Sequence, residues 1–191
     1  MADLPESAAW RLLDAHEGFE VLFPRRTGDG YRLAGHSVGV EAGEAWSINY
    51  TLELDADWTT RSANVRGHSR LHAHEVQLEA DGSGGWLVNG EPATKLDGCS
   101  DIDLEGSAFT NALPVQRAGL AVGASADAPA AYVRAQDLSV ERLEQRYSRL
   151  PNEAERSRYD YESPAFDTRC VLTYDESGLV LDYPGIAVRV L

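Results

Sequence analysis

The sequence predicts an all-β protein built as one domain over residues 1–191. Three observations carry that expectation. Apolar and polar residues alternate with period two along most of the chain, helical periodicity is nearly absent, and 17 Gly with 8 Pro supply frequent turns. A length of 191 residues suits a single sizeable core.

Taken in order, residues 19–23 and 31–40 read as two strands around the turn Arg25-Arg26-Thr27-Gly28-Asp29-Gly30, and Gly43 with Glu44 closes the next turn. The clearest strand is 46–56. Trp46, Ile48, Tyr50, Leu52, Leu54 and Ala56 share one face, while Ser47, Asn49, Thr51, Glu53 and Asp55 share the other. One dry face and one wet face is the antiparallel pattern. Residues 59–66 form a more polar strand. In 71–80, His72, His74, Val76, Leu78 and Ala80 fall on one face, so both histidines would turn inward.

Asp81-Gly82-Ser83-Gly84-Gly85 reads as a hairpin turn; no helix start or P-loop Lys follows to make it an anion cradle. In Asp101-Ile102-Asp103-Leu104 both carboxylates share one strand face and both aliphatic groups the other. Phe109 to Arg117 follows, with Pro114 fixing the entry into the next segment. Residues 140–155 could form a helix, but extended structure is preferred, and 151–157 reads as a polar, mobile insert. Residues 159–161, 166–174, 179–183 and 186–190 finish the chain as strands, joined by Asp175-Glu176-Ser177-Gly178 and Pro184-Gly185.

Composition narrows the function. With 17 Lys+Arg against 31 Asp+Glu the net charge is −14, which argues against nucleic-acid binding and against nonspecific adsorption to anionic membranes. The N-terminal MADLPESAAW has neither a basic start nor an apolar core, and no apolar run approaches a membrane span, so a cytoplasmic protein without integral membrane association is expected. Cys99 and Cys170 are expected as free thiols.

Several stretches together resemble the putative glycolipid-binding family of small bacterial proteins. They are Trp58-Thr59-Thr60-Arg61, Asp81 to Trp86, Leu96-Asp97-Gly98-Cys99-Ser100-Asp101-Ile102-Asp103-Leu104 and Phe109-Thr110-Asn111-Ala112-Leu113-Pro114, followed by Gln145-Arg146-Tyr147, Tyr159-Asp160-Tyr161-Glu162 and Asp182-Tyr183-Pro184-Gly185. The resemblance implies a single antiparallel sheet curled into a barrel-like roll with a partly apolar interior. It also implies kinship in shape with carriers that shelter acyl chains, and brings no catalytic residues with it. Gln116 and Ala118 depart from the family's usual Arg and Leu on either side of Arg117.

Each constellation has two readings. Asp101 and Asp103 suit acid–base work or metal binding, or else an ion pair with Arg117, Arg146 or Arg158 that locks crossing strands. His72 and His74 have strand spacing for a zinc ion but no third ligand nearby, so no metal is expected. Trp46 and Trp86 read as core, and Tyr147 and Tyr161 as ligand contacts.

The expectation is a non-enzymatic module that holds an amphiphile, a lipid or glycolipid, in the interior of the roll, with no cofactor. Asp101, Asp103, Asn111, Arg117, Arg146 and Tyr147 would meet the polar head, and Tyr50 and Trp58, with Leu52 and Leu54, the apolar chain. The alternatives are a hydrolase or isomerase using Asp101 or Asp103, and an interaction scaffold without a ligand.

Overall fold

The alternating segments pair as a long meander that begins and ends side by side. In the computed structural model, which describes residues 3–13, 17–70 and 73–191, β1 (Ala8–Leu12) pairs with the last strand, β17 (Ala187–Arg189). From β1 the sheet runs one way through β2 (Glu17–Arg26), β3 (Gly30–Glu41), β4 (Glu44–Asp55), β5 (Thr60–Ser69), β6 (Ala73–Ala80), β7 (Trp86–Val88) and β8 (Glu91–Pro92).

From β17 it runs the other way through β16 (Val180–Tyr183), β15 (Thr168–Tyr174), β14 (Arg156–Ser163), β13 (Arg146–Glu153) and β10 (Ser125–Asp127). That makes fourteen strands among the described residues, and each neighbouring pair is antiparallel. The sheet curls into a barrel-like roll, as antiparallel sheets with one dry face do. Trp10 helps fasten the seam between the two ends: its indole N–H donates to the Val180 carbonyl at 2.7 Å.

Strand β4 follows its alternation closely. Trp46, Ile48, Tyr50, Leu52 and Leu54 are all buried against the core. Residues 140–155 are extended, as preferred: β12 (Val140–Leu143) precedes β13. The polar insert expected at 151–157 is instead the tip of the β13–β14 hairpin. Ala154 takes a positive φ there, and the Arg149 guanidinium grips the carbonyls of Leu150 and Arg158 at 2.7 and 3.1 Å. Of the inward histidine pair, His72 lies outside the described residues, and His74 is half-buried on the Val76 face. Cys99 and Cys170 are free thiols. Among the described residues no helix is long and apolar enough to cross a membrane.

Two features go beyond a single all-β sheet. The first is a small second sheet in which β9 (Asp101–Leu104) lies parallel to β11 (Ala130–Val133), and β11 antiparallel to β12. The second is a short helix, α1 (Ala112–Ala118), entered through a 3-10 turn at Phe109–Asn111. Every residue from Ser107 to Gln116 is buried. This stretch is a plug made by the chain itself, and it occupies the interior that the resemblance offers to an acyl chain.

The link from β9 into the plug needs Gly106. Its φ is +72°, and a Cβ there would lie 2.2 Å from the Trp46 ring. Gly106→Ala is therefore expected to cost about 2–4 kcal/mol, the sum of a left-handed backbone penalty and overpacking. Urea unfolding followed by circular dichroism would check it; an unchanged midpoint would show that the turn yields freely.

Candidate functional site

The plug turns its polar side toward a cleft. Strand β9 points Asp101 and Asp103 to one side, as the alternation predicted, and all four of its residues are buried. The two carboxylates meet different fates. Asp101 is clamped by Arg117 of α1 through two hydrogen bonds, Nε to Oδ1 at 3.0 Å and Nη2 to Oδ2 at 2.7 Å. This is the fork-to-fork geometry of a strong charge-assisted pair. Burial pushes the Asp101 carboxyl above its usual range, and Arg117 opposes that rise.

Asp103 has no cation. The Thr110 hydroxyl donates to its Oδ1 at 2.6 Å and the Gln145 amide to its Oδ2 at 2.6 Å. Burial is the largest influence and lifts this carboxyl to about 6; the two hydrogen bonds pull the other way. Gln145 reaches on to the Tyr161 hydroxyl at 3.0 Å. Tyr161 in turn packs edge-on against Tyr183 at 5.7 Å and tilts against Tyr147 at 5.0 Å. Tyr147 donates to Asn111 Oδ1 at 2.9 Å, and Tyr174 donates to the Asn111 carbonyl at 3.1 Å. Two strands of the meander thus hold the plug through phenol hydroxyls, each giving up little rotamer freedom on burial.

Above Asp103 opens a cleft of about 300 Å³. Its walls include Asn111, Tyr132, Tyr161, Tyr183 and Phe166, with Leu104 and Ile186 as apolar patches. Its rim carries Glu105, which accepts from the Tyr132 hydroxyl at 3.0 Å and the Ala135 N–H at 2.8 Å, with Arg134 at 3.5 Å. Aromatic faces and acceptors around a shallow polar base suit a ligand rich in hydroxyls. No group of three or more His, Cys, Asp or Glu side chains arranged for a metal occurs among the described residues.

The model for proteins described as putative glycolipid-binding matches residues 7–189. The chain belongs to that family. Among solved structures it is similar to a DUF1089 family protein from Pseudomonas aeruginosa, at 35% identity and a TM-score of 0.76, with 90% of this chain and 92% of that one covered. A β-barrel-like protein of DUF1849 from Brucella abortus shares the fold alone, at 12% identity and a TM-score of 0.53 over 96% and 92% of the two chains. None of the curated proteins compared matches.

In this family member the residues singled out from sequence divide into groups. Asp103 and Asn111 line the cleft, and Tyr147 and the Asp101–Arg117 pair stand behind it as braces. Tyr50 is in the core, with its hydroxyl donated to Glu20 at 2.7 Å and its ring stacked at 6.5 Å from Phe109 of the plug. Trp58 packs against Tyr31 at 4.5 Å beside a separate cleft of about 320 Å³, which Gln116 also borders. Gln116, where the family's usual Arg is absent, donates to the Ser177 carbonyl at 2.6 Å. Arg146 is exposed and pairs with Asp127, away from both aspartates of β9, and Arg158 pairs with Glu153 at 3.7 Å.

Sequence reasoning passed over Glu20, Thr110, Gln145 and Tyr183. Gln145 stands beside the Arg146 and Tyr147 that were chosen, and Tyr183 lies in a quoted motif. Nothing in the sequence marks Glu20 as inward-facing.

Proposed function

We propose that the chain is a non-enzymatic binding protein for a lipid or glycolipid, and that it takes the ligand by a polyhydroxylated head in the cleft over Asp103. One observation carries this reading: a buried carboxylate with two neutral donors and no cation opens onto a cleft walled by tyrosines. Such a group accepts ligand hydroxyls through charge-assisted hydrogen bonds, while ring faces cover the apolar side of a sugar. The volume sits at the lower end for small-molecule sites, enough for a head group and not for a long chain as well. Asp103 and Asn111 are the contacts in this reading. Tyr147, Asp101 and Arg117 hold them in place. The packed plug leaves the acyl part outside the roll, against Phe166 and Ile186.

The raised Asp103 carboxyl would also suit a general base, which favours the hydrolase or isomerase reading over a scaffold without a ligand.

The test is native mass spectrometry of the protein purified from its own host, with organic extraction, followed by titration of the recovered lipid into wild type and Asp103→Asn. A retained lipid or glycolipid is expected. The variant should keep its circular dichroism spectrum and bind at least about tenfold more weakly, as losing one charge-assisted hydrogen bond implies. A bare protein that shows no melting shift across a lipid and glycolipid panel would sink the reading. Turnover of the recovered lipid by wild type, lost in the variant, would replace it with the enzymatic one.

A further inference from the structure

The outer face of the roll carries a second surface, separate from the cleft. On β2 the more apolar side of the strand points out of the protein: Glu20, Leu22 and Pro24 are buried, while Phe19 and Phe23 stand 53% and 54% exposed with half-buried Val21 between them. Strand β3 adds exposed Val38 opposite Phe19 and exposed Val40 opposite Glu17. Contiguous apolar surface of this kind on a chain of net charge −14 marks a contact surface.

The charges on this face have an order. Along its outward side β2 presents Glu17, Phe19, Val21, Phe23 and Arg25. The row is symmetric in shape about Val21 and opposite in charge at its two ends. Neither charge is answered within the chain: Glu17 and Arg25 form no ion pair among the described residues. Arg25 also lies directly opposite Arg32 across the β2–β3 ladder, and like charges so placed destabilise it. Glu53, at 2.7 Å, neutralises Arg32 alone.

We propose that the outer face of β2 and β3 is the interface of a two-fold homodimer. The two sheets pack face to face with their β2 strands antiparallel, about an axis that crosses β2 at Val21. Phe19 of each copy then meets Phe23 of the other, and Glu17 of each meets Arg25 of the other. Both unanswered charges are thereby paired, and the second copy supplies the counter-charge that Arg25 lacks beside Arg32. An isologous contact needs this kind of self-complementary patch. Aligned sheets pack about 10 Å apart with their strands within about 30° of each other, a gap that facing Glu and Arg side chains can span.

Other occupants fit less well. An anionic lipid surface would have to take in Glu17, which shares the outward side with the phenylalanines. A peptide strand finds no free backbone, since β2 and β3 are interior strands paired on both sides. The overall charge does not forbid a second copy. On this face Arg11, Arg25 and Arg32 stand against Glu17 and Glu53, and physiological salt screens the remaining acids beyond about 8 Å.

Sedimentation equilibrium of the full chain tests the interface. Wild type is expected as a dimer that dissociates on dilution. Phe19→Ser/Phe23→Ser should weaken it about thirtyfold or more, as the loss of central apolar contacts implies. Glu17→Arg and Arg25→Glu should each be monomeric alone, since either change sets like charges against each other across the axis. An equal mixture of these two variants should restore a dimer, because each then meets its complement at both ends. All four side chains are exposed, so circular dichroism should not change. Asp103→Asn should dimerise as wild type does, so failure here is distinct from failure of the cleft reading. Wild type that stays monomeric at its highest soluble concentration would overturn the proposal, as would a dimer indifferent to the phenylalanine changes or a mixture that stays monomeric. Monomeric wild type that cosediments with mixed phosphatidylcholine and phosphatidylglycerol vesicles would assign the face to lipid instead.

Discussion

Glu20→Ala should lose about 3–5 kcal/mol of stability, enough to lower the melting temperature by roughly 10 °C or more in a chain of this size. Glu20 is fully buried on β2 and is the hub that ties the sheet to the plug. Its Oε1 accepts from the Tyr50 and Ser107 hydroxyls, and its Oε2 from the Ala108 and Phe109 N–H groups at 2.8 and 3.2 Å. Truncation strands four buried donors and leaves a cavity beneath the 3-10 turn. A loss below about 1 kcal/mol in urea unfolding would mean that water or the plug itself takes over the carboxylate's role.

The same residue sets a pH dependence. Desolvation raises the Glu20 carboxyl from 4.5 to about 7, against the four hydrogen bonds that lower it. A carboxyl held higher in the folded chain binds its proton more tightly there. It therefore favours folding fully below pH 4.5, and that contribution fades as pH rises through about 7. At about 1.4 kcal/mol per unit, the loss is about 3 kcal/mol. Asp103, raised from 3.8 to about 6, contributes in the same direction over a lower window. Unfolding midpoints should thus rise on mild acidification from pH 8 to 5, the reverse of the usual carboxylate behaviour. In Glu20→Gln most of that slope should vanish; a slope retained in full would place its origin elsewhere.

The strand pairing was legible because period-two alternation is a direct consequence of one dry face, and β4 displays it without interruption. The plug was not. Phe109 to Ala118 is too short to show a 3.6-residue period, and its burial comes from what surrounds it. The structure also reverses β2 relative to its own pattern. Phe19, Val21 and Phe23 offer the better core face by composition, yet Glu20, Leu22 and Pro24 take the inside. A one-residue change of register flips every side chain of a strand. Here Glu20 decides the register because four donors on other elements wait for it. Those donors lie 30 and about 88 residues away in sequence, beyond any local signal. Asp101 and Asp103 were legible as a pair, since strand spacing puts them on one face. Their different partners were not, because Arg117 reaches Asp101 only when α1 folds back over β9.

Arg117→Met is the sharper test of that fold-back and should cost about 3–5 kcal/mol. Asp101 is 1% exposed at its side chain, so removing the guanidinium leaves a carboxylate that water cannot reach. Burial already raises this carboxyl, and without Arg117 nothing of comparable strength opposes that rise, so the protonated form is favoured further. Arg117→Met should therefore lose less in acid than at pH 8, whereas a purely steric role would give a cost independent of pH. The second arm is Asp101→Asn with Arg117→Met. If the pair serves specificity more than net stability, the double variant should recover most of the loss, since a neutral amide costs far less to bury than an unpaired carboxylate. A double variant as unstable as Arg117→Met alone would instead assign the cost to lost packing of the arginine stem against the plug. In either case the β9–α1 clamp sits one residue pair behind Asp103, so a variant that loosens it should also weaken binding in the cleft.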